Sequence, residues 1–346
     1  MIKVLLVDDS NFMRMVISNM LGEDAGIHLV GSAENGHDAY EKTKLLKPDV
    51  ILLDLIMKDF DGLYAVKKIM AECPTSIIIL SGVGNSDMGP VFEALEAGAC
   101  DFLNKPDGTK EGGIRGISNQ LILKIYEVAK VDKNKLLRKN TVANINQHTF
   151  DTYLPYEIFA IGSSTGGPGA LEEVLKHIPS NFPLPIVIAQ HMPANFVHSF
   201  AARLTATIPL KVKVMEKGDV LQAGQIYIAP GDHNVYLSKE NLLSKRAVVE
   251  YTTEQFVEFN EPSVDCLMLS VAKLYGNKAI AAILTGMGRD GAVGMEALFK
   301  SGAYTIAQDE RTSVVFGMPK AAIDKGAIKQ VLPITQIAGF VVSALS

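Results

Sequence analysis

At 346 residues the chain has room for two α/β domains, each with a core of its own. A hydrophobic content of 48%, a net charge of −5 and no apolar run of about 18 residues exclude a disordered chain and a helical membrane span, and they argue against a nucleic-acid partner. The amino-terminal run Met1 to Val7 meets Asp8 and Asp9 before an apolar core of signal-peptide length can form, so a cytoplasmic protein without membrane insertion is expected.

Short apolar runs recur through the first part of the chain, at Lys3–Val7, Leu29–Ser32, Val50–Leu53, Ile77–Leu80 and Asp101–Leu103. Helix-length segments of mixed polarity separate them, at Asn11–Leu21, Gly36–Leu46, Leu63–Ala71 and Pro90–Ala97, and a last helix is expected near Gly116–Val131. Strands apolar on both faces, alternating with helices, predict a parallel sheet covered on both sides. Residues 131–154 are polar, rich in Lys and Asn and without sustained periodicity, which predicts a linker between a first domain at 1–130 and a second at 155–346. The second domain repeats the α/β pattern, with strands expected at Ile158–Ile161, Ile186–Ala189, Gln225–Ile228, Ala279–Leu284 and Tyr304–Ala307. The fold class is therefore two doubly wound parallel-sheet domains. Cys73, Cys100 and Cys266 have neither metal-ligand spacing nor an even count, and buried free thiols are expected.

Ligands of an open parallel sheet bind beyond the carboxyl ends of its strands. In the first domain those ends carry Asp8-Asp9, Asp54, Ser81 and Lys105. Any one of the acids, taken singly, could cap the next helix. Together, three carboxylates repel one another unless a hard divalent cation neutralises them, and Mg²⁺ beside a phosphoryl group is the natural occupant. Asp54 is then the phosphoryl acceptor, with a hydroxyl and a lysine to grip the phosphoryl oxygens. The stretches "LLVDDS", "DVILLDLIMKDFDG", "IIILSG" and "DFLNKP" resemble a response-regulator receiver of the flavodoxin-like fold. That resemblance implies phosphorylation of Asp54 by a partner histidine kinase, metal ligation by Asp8, Asp9 and Asp54, and switch roles for Ser81, Lys105 and Phe102. Lys58 stands where the family usually has proline, which removes a rigid turn beside the acidic pocket.

The second domain opens on "IGSSTGGPGA", residues 161 to 170, a glycine-rich turn directly after an apolar strand. Such a turn can bind phosphate through its N–H groups, but the offsets of the dinucleotide fingerprint are missing, because Ser164 stands where its second glycine belongs. Gly162 to Gly166 instead matches G-x-S-x-G, whose glycines permit a sharp strand-to-helix turn that exposes the central serine. A serine in this place can equally be a helix cap. A nucleophile needs a base, and the base needs an orienting group. His191 follows the strand "IVIAQ", and Asp290 lies in the loop after "AIAAIL", so three triad-type residues stand beyond three different strands. The order Ser, His, Asp is not that of the α/β-hydrolases. His233, in "APGDHN", is a further candidate to line the site, whereas His177 and His198 fall in expected helices.

The segments "IGSSTGGP", "QHMP", "YIAPGDHN", "LTGMGRDG" and "AQDERTSVVFGMP" resemble the catalytic domain of the CheB methylesterase family, and the order of receiver, linker and esterase matches over nearly the whole chain. The resemblance implies a Rossmann-like esterase domain with Ser164 as nucleophile, His191 as base and Asp290 as orienter, and with Thr165 and the backbone N–H of Met287 around the oxyanion. It implies hydrolysis of glutamate γ-methyl esters on methylated chemoreceptors, deamidation of receptor glutamines, a chemotaxis histidine kinase as phosphodonor, and association with membrane receptor arrays through proteins. Mg²⁺ is expected in the receiver alone. Glu261 replaces a basic residue common in relatives just before Pro-Ser. The competing class is a response regulator whose second domain only binds a partner or a nucleotide.

Overall fold

The computed structural model describes all residues except 59–60, 83–87, 106–112, 133–149, 151–153, 242–245 and 257–260. The chain divides into two compact units, Met1–Lys139 and Asn140–Ser346. The expected linker at 131–154 lies almost wholly outside the described residues.

The first unit alternates β1 (Ile2–Val7), α1 (Asn11–Gly22), β2 (Ile27–Ala33), α2 (Gly36–Leu46), β3 (Val50–Asp54), α3 (Gly62–Glu72), β4 (Ser76–Ser81), α4 (Gly89–Glu96), β5 (Asp101–Asn104) and α5 (Gly113–Val128). The strands form a parallel sheet of order β2-β1-β3-β4-β5. Helices α1 and α5 pack together, as do α2, α3 and α4, so each group covers one face. Val4–Val7, Val50–Leu53 and Ile77–Ile79 are buried completely, which accounts for their apolar character on both faces. Each such side chain contributes about 1.5–3 kcal/mol of burial. The last helix begins and ends three residues earlier than the sequence pattern suggests.

The second unit comprises β6 (Ile158–Ser163), α6 (Gly167–Leu175), β7 (Ile186–Gln190), α7 (Ala194–Thr207), β8 (Lys211–Val214), β9 (Gln225–Ile228), β10 (Asn234–Lys239), β11 (Ala247–Thr252), α8 (Val264–Tyr275), β12 (Ala279–Ile283), α9 (Ala292–Lys300), β13 (Tyr304–Gln308), α10 (Met318–Asp324), β14 (Gln330–Leu332) and α11 (Ile334–Ser343). Seven strands form a parallel sheet of order β14-β13-β12-β6-β7-β9-β8. The doubly wound parallel architecture expected of both domains is the one observed. Four strands in this unit were not anticipated. Edge strands β8 and β14 are short and partly exposed and carry no strong apolar run, while β10 and β11 alternate in burial and pair antiparallel outside the main sheet.

The register of the central strands decides what meets beyond them. Ser163 of β6 pairs with Gln190 of β7, and Ile283 of β12 pairs with Gly162 of β6. The residues that follow, Ser164, His191 and the loop from Leu284, therefore emerge side by side where the strand order reverses direction.

Candidate active site

Strand β6 ends in a turn whose N-terminal cap to α6, Gly166, has φ of 74°, a left-handed conformation that glycine adopts without strain. The Ser164 N–H is committed to the Thr285 carbonyl at 3.0 Å, and its carbonyl accepts from Gly167 N at 2.7 Å. Gly286 is required for a different reason: a Cβ there would stand 2.8 Å from the Ser164 Cβ, so only glycine lets the β12 loop approach the serine this closely.

His191 lies between two partners. Its Nδ1 is 3.1 Å from Ser164 Oγ, and its Nε2 is 2.7 Å from Asp290 Oδ2. The ring is thus turned relative to the chymotrypsin arrangement, in which Nε2 faces the serine and Nδ1 the acid. Nε2–H donates to Asp290, which fixes the tautomer that leaves Nδ1 as the acceptor toward the serine hydroxyl. Ser164 and Asp290 are buried, whereas His191 keeps a partly exposed edge.

Asp290 is held by more than the histidine. Its Oδ2 accepts from Val264 N at 2.8 Å, and its Oδ1 from Asp265 N at 2.9 Å and from the Ser263 hydroxyl at 3.1 Å. Burial works to raise its pKa, but the hydrogen bond and charge of His191, with the N–H groups of Asp265 and Val264, outweigh it and hold the carboxyl below its ordinary range. Ser263, Asp265 and Gln190 are site residues that the sequence reasoning missed. Gln190 donates from Nε2 to the carbonyls of Ser164, at 3.0 Å, and His191, at 2.9 Å, and accepts from Ser163 Oγ at 2.6 Å. The available signal was a polar residue closing an otherwise apolar strand. Thr285 ties the same turn to the loop between β13 and α10, donating to the Thr165 carbonyl at 2.9 Å and accepting from Val315 N at 3.0 Å.

The remaining candidates fall as follows. Thr165 is buried beside Ser164, and Met287 is partly exposed in the loop between β12 and α9. His233 joins no part of this triad: it hydrogen-bonds Asp232 at 2.8 Å and stacks on Tyr251. His177 lies 2.8 Å from the Glu173 carbonyl on α6. Glu261 is exposed, two residues before Ser263. Cys100 and Cys266 are buried free thiols, whereas Cys73 is only half-buried, because it closes α3 at the surface.

In the first unit, Asp8, Asp9 and Asp54 present carboxylate oxygens within 4.8 Å of one another. None of them caps α1; Ser10 does, accepting from Met13 N. Lys105 Nζ bridges Asp8 Oδ2 at 2.7 Å and Asp54 Oδ2 at 2.6 Å. Burial raises the Asp54 carboxyl; Lys105 pulls it back and Asp8 pushes it up again, with burial prevailing. Burial by itself would lower Lys105, but its two carboxylate partners keep it charged and raise it. Asp8 Oδ2 is buried and, although Lys105 is near, accepts no aligned hydrogen bond. An under-satisfied carboxylate oxygen in a cluster of three acids suits a hard divalent cation. Ser81 ends β4 in register with Asn104, and Phe102 is buried in β5. Lys58 is exposed.

A family model described as CheB methylesterase matches residues 159–341, and one described as response regulator receiver domain matches residues 4–112. The chain belongs to the CheB methylesterase family. A protein-glutamate methylesterase/protein-glutamine glutaminase from Thermotoga maritima is 40% identical over 338 residues, 97% of this chain and 96% of its own. One of the same description from Methanococcoides burtonii is 42% identical over 344 residues, 97% of this chain and 96% of its own. The crystal structure of the Thermotoga maritima CheB methylesterase catalytic domain superposes with a TM-score of 0.52 at 40% identity, covering 54% of this chain and 98% of that one. This CheB-family methylesterase therefore joins a receiver domain to a parallel-sheet catalytic domain. Among its described residues no helix is long and apolar enough to cross a membrane.

Proposed function

We propose that this chain hydrolyses glutamate γ-methyl esters on chemoreceptors, and deamidates receptor glutamines, through Ser164, His191 and Asp290, and that phosphorylation of Asp54 controls the rate. The observation that carries the proposal is the position of His191, 3.1 Å from Ser164 Oγ on one side and 2.7 Å from Asp290 Oδ2 on the other. The names of the relatives support protein glutamate esters and protein glutamines as substrates.

Ser164 Oγ attacks the ester carbonyl while its proton passes to His191 Nδ1, and the imidazolium so formed is stabilised by the Asp290 charge at Nε2. The carbonyl oxygen becomes an oxyanion, which we assign to Thr165 and the backbone N–H of Met287, since the Ser164 N–H is already committed to Thr285. Collapse breaks the bond to methoxide, which takes the proton from His191 and leaves as methanol. Water then attacks the glutamyl-serine ester, His191 accepts its proton, and departure of Ser164 restores the hydroxyl and a glutamate carboxylate. A glutamine follows the same course with ammonia as the first product.

In the receiver, Asp54 accepts the phosphoryl group from a chemotaxis histidine kinase. When bound, Mg²⁺ neutralises the clustered carboxylates and the phosphoryl oxygens, and Asp8, Asp9 and Asp54 are the residues to hold it. Lys105, now paired with Asp8 and Asp54, turns to the phosphoryl oxygens, with Ser81 and Phe102 as the switch partners. The protein works in the cytoplasm against receptor arrays that it reaches through proteins.

The test is methanol release from methylated receptor membranes with and without a phosphodonor, alongside labelling by a fluorophosphonate. Labelling at Ser164 and phosphodonor-dependent methanol support the proposal. Absence of both, with nucleotide protection of the glycine-rich turn, supports a binding domain instead.

A further inference from the structure

Asp290 stands one residue before Gly291, the N-cap of α9, yet its carboxylate serves the other helix of the pair: it accepts from Val264 N and Asp265 N in the first turn of α8. Asp265, the second residue of α8, does the reverse. Its Oδ1 accepts from Gly294 N, in the first turn of α9, at 2.7 Å. The N–H groups of Val293 and Gly291 also stabilise its charge. Each helix thus begins on the acid of the other.

The exchange matters because α9 cannot cap itself. Its N-cap is Gly291, at φ of 89°, with no side chain to accept from the first turn. The opening N–H groups of a helix need an acceptor, and a carboxylate there also meets the positive end of the helix dipole. Asp265 supplies both from α8. It is buried, 5% exposed, and that burial pushes its pKa up to about 6. Burial therefore opposes the charge that the N–H groups of α9 hold in place. Gly291 follows Asp290 directly, so whatever anchors the start of α9 also sets where the Asp290 carboxylate stands.

We infer that Asp265 is a positioning residue of the esterase reaction: by holding the first turn of α9 against α8 it places the Asp290 carboxylate at His191 Nε2. This role rests on the triad proposed above. The hydrogen bonds of Asp265 run to the start of α9 and to Asp290, so it acts through Asp290.

A double-mutant cycle on the full chain tests the inference, with methanol release and melting temperature measured for the unaltered protein, Asp265→Asn, Asp290→Asn and the double variant. Asparagine keeps one oxygen for Gly294 N, and the melting temperature checks that the fold is kept. Asp265→Asn is expected to lower kcat about tenfold with KM within about twofold. In the double variant the second substitution should cost less than about threefold beyond Asp290→Asn, because no charge is left to position. The low-field proton resonance of His191 Nε2–H, followed in the Ser164→Ala background, should weaken or shift with Asp265→Asn. An unchanged kcat, or a tenfold loss that recurs in full on Asp290→Asn with an unmoved resonance, overturns the role. Asp265→Ser, which retains a hydroxyl acceptor, carries the same cycle should the amide variant not fold. If Ser164→Ala and Asp290→Asn leave methanol release intact, the triad fails; if they abolish it and Asp265→Asn is additive or silent, only the positioning role fails.

Discussion

The side-chain amide of Gln190 donates to the Ser164 carbonyl at 3.0 Å and to the His191 carbonyl at 2.9 Å, so one buried residue ties the turn that carries Ser164 to the strand end that carries His191. Gln190→Leu removes both donors and leaves the Ser163 hydroxyl without its acceptor. A loss of about 1–3 kcal/mol of stability is expected from the orphaned groups. A fall in kcat of roughly ten- to a hundredfold is expected from the displaced pair. Chemical denaturation and methanol release measure the two separately. A kcat within twofold of the unaltered protein would show that the turn holds itself.

Ser164→Ala removes only the oxygen proposed to accept the acyl group. Methanol release should fall by about 10⁴ to 10⁶. Phosphorylation of Asp54 and the melting temperature should be preserved, since the Ser164 backbone bonds to Thr285 and Gly167 remain. Retention of a tenth of the activity sinks the assignment.

Asp290→Asn keeps oxygen for part of the α8 start but removes the charge opposite Nε2. A loss of about 10² to 10⁴ in kcat is expected. The pKa of Asp290 is held below its ordinary value, so its contribution to stability is present at neutral pH and is lost as acid protonates it. A steady-state change below threefold would move the third member of the triad elsewhere.

Asp265 has the opposite sign. Its folded pKa of about 6 lies above the ordinary 3.8, so the folded state holds the proton more tightly and the favourable contribution, complete below pH 3.8, is lost as pH rises through 6. The melting temperature of the unaltered protein relative to Asp265→Asn should therefore drop by on the order of 5 °C between pH 4.5 and 7.5 and be flat above. A difference that rises with pH contradicts the assignment of the shift to burial.

Asp54→Asn should abolish any phosphodonor-dependent rise in methanol release. Chelation of divalent cations should do the same in the unaltered protein, because Asp8 and Asp54 then keep Lys105 as their partner. The check is a parallel assay with a small-molecule phosphodonor, with and without chelator and with added Mg²⁺. A full response in chelator would remove the metal from the account.

Strand and helix alternation, and the chemistry at each strand end, are legible in the amino-acid sequence. Val50–Leu53 and Ile158–Ile161 are apolar at every position because both faces of a parallel sheet are covered, and the site acids, serine and histidine follow such runs because ligands gather at the carboxyl ends. The short edge strands β8 and β14 escaped notice because an exposed edge imposes little apolar pattern.

What only the tertiary structure decided is adjacency. Chain order places Ser164, His191 and Asp290 across more than a hundred residues, and the hydrogen-bonded order β12-β6-β7 brings their strand ends together. Nothing local distinguishes the nitrogen of His191 that faces the serine, or tells that Asp265 and Asp290 each begin the other's helix. Helix caps of the ordinary kind, such as Ser10 and Ser263, act on their own chain within three residues and leave a sequence signal. A cap supplied from a neighbouring helix depends on packing between segments some 25 residues apart, and a hydrogen bond formed by packing leaves no periodicity to read.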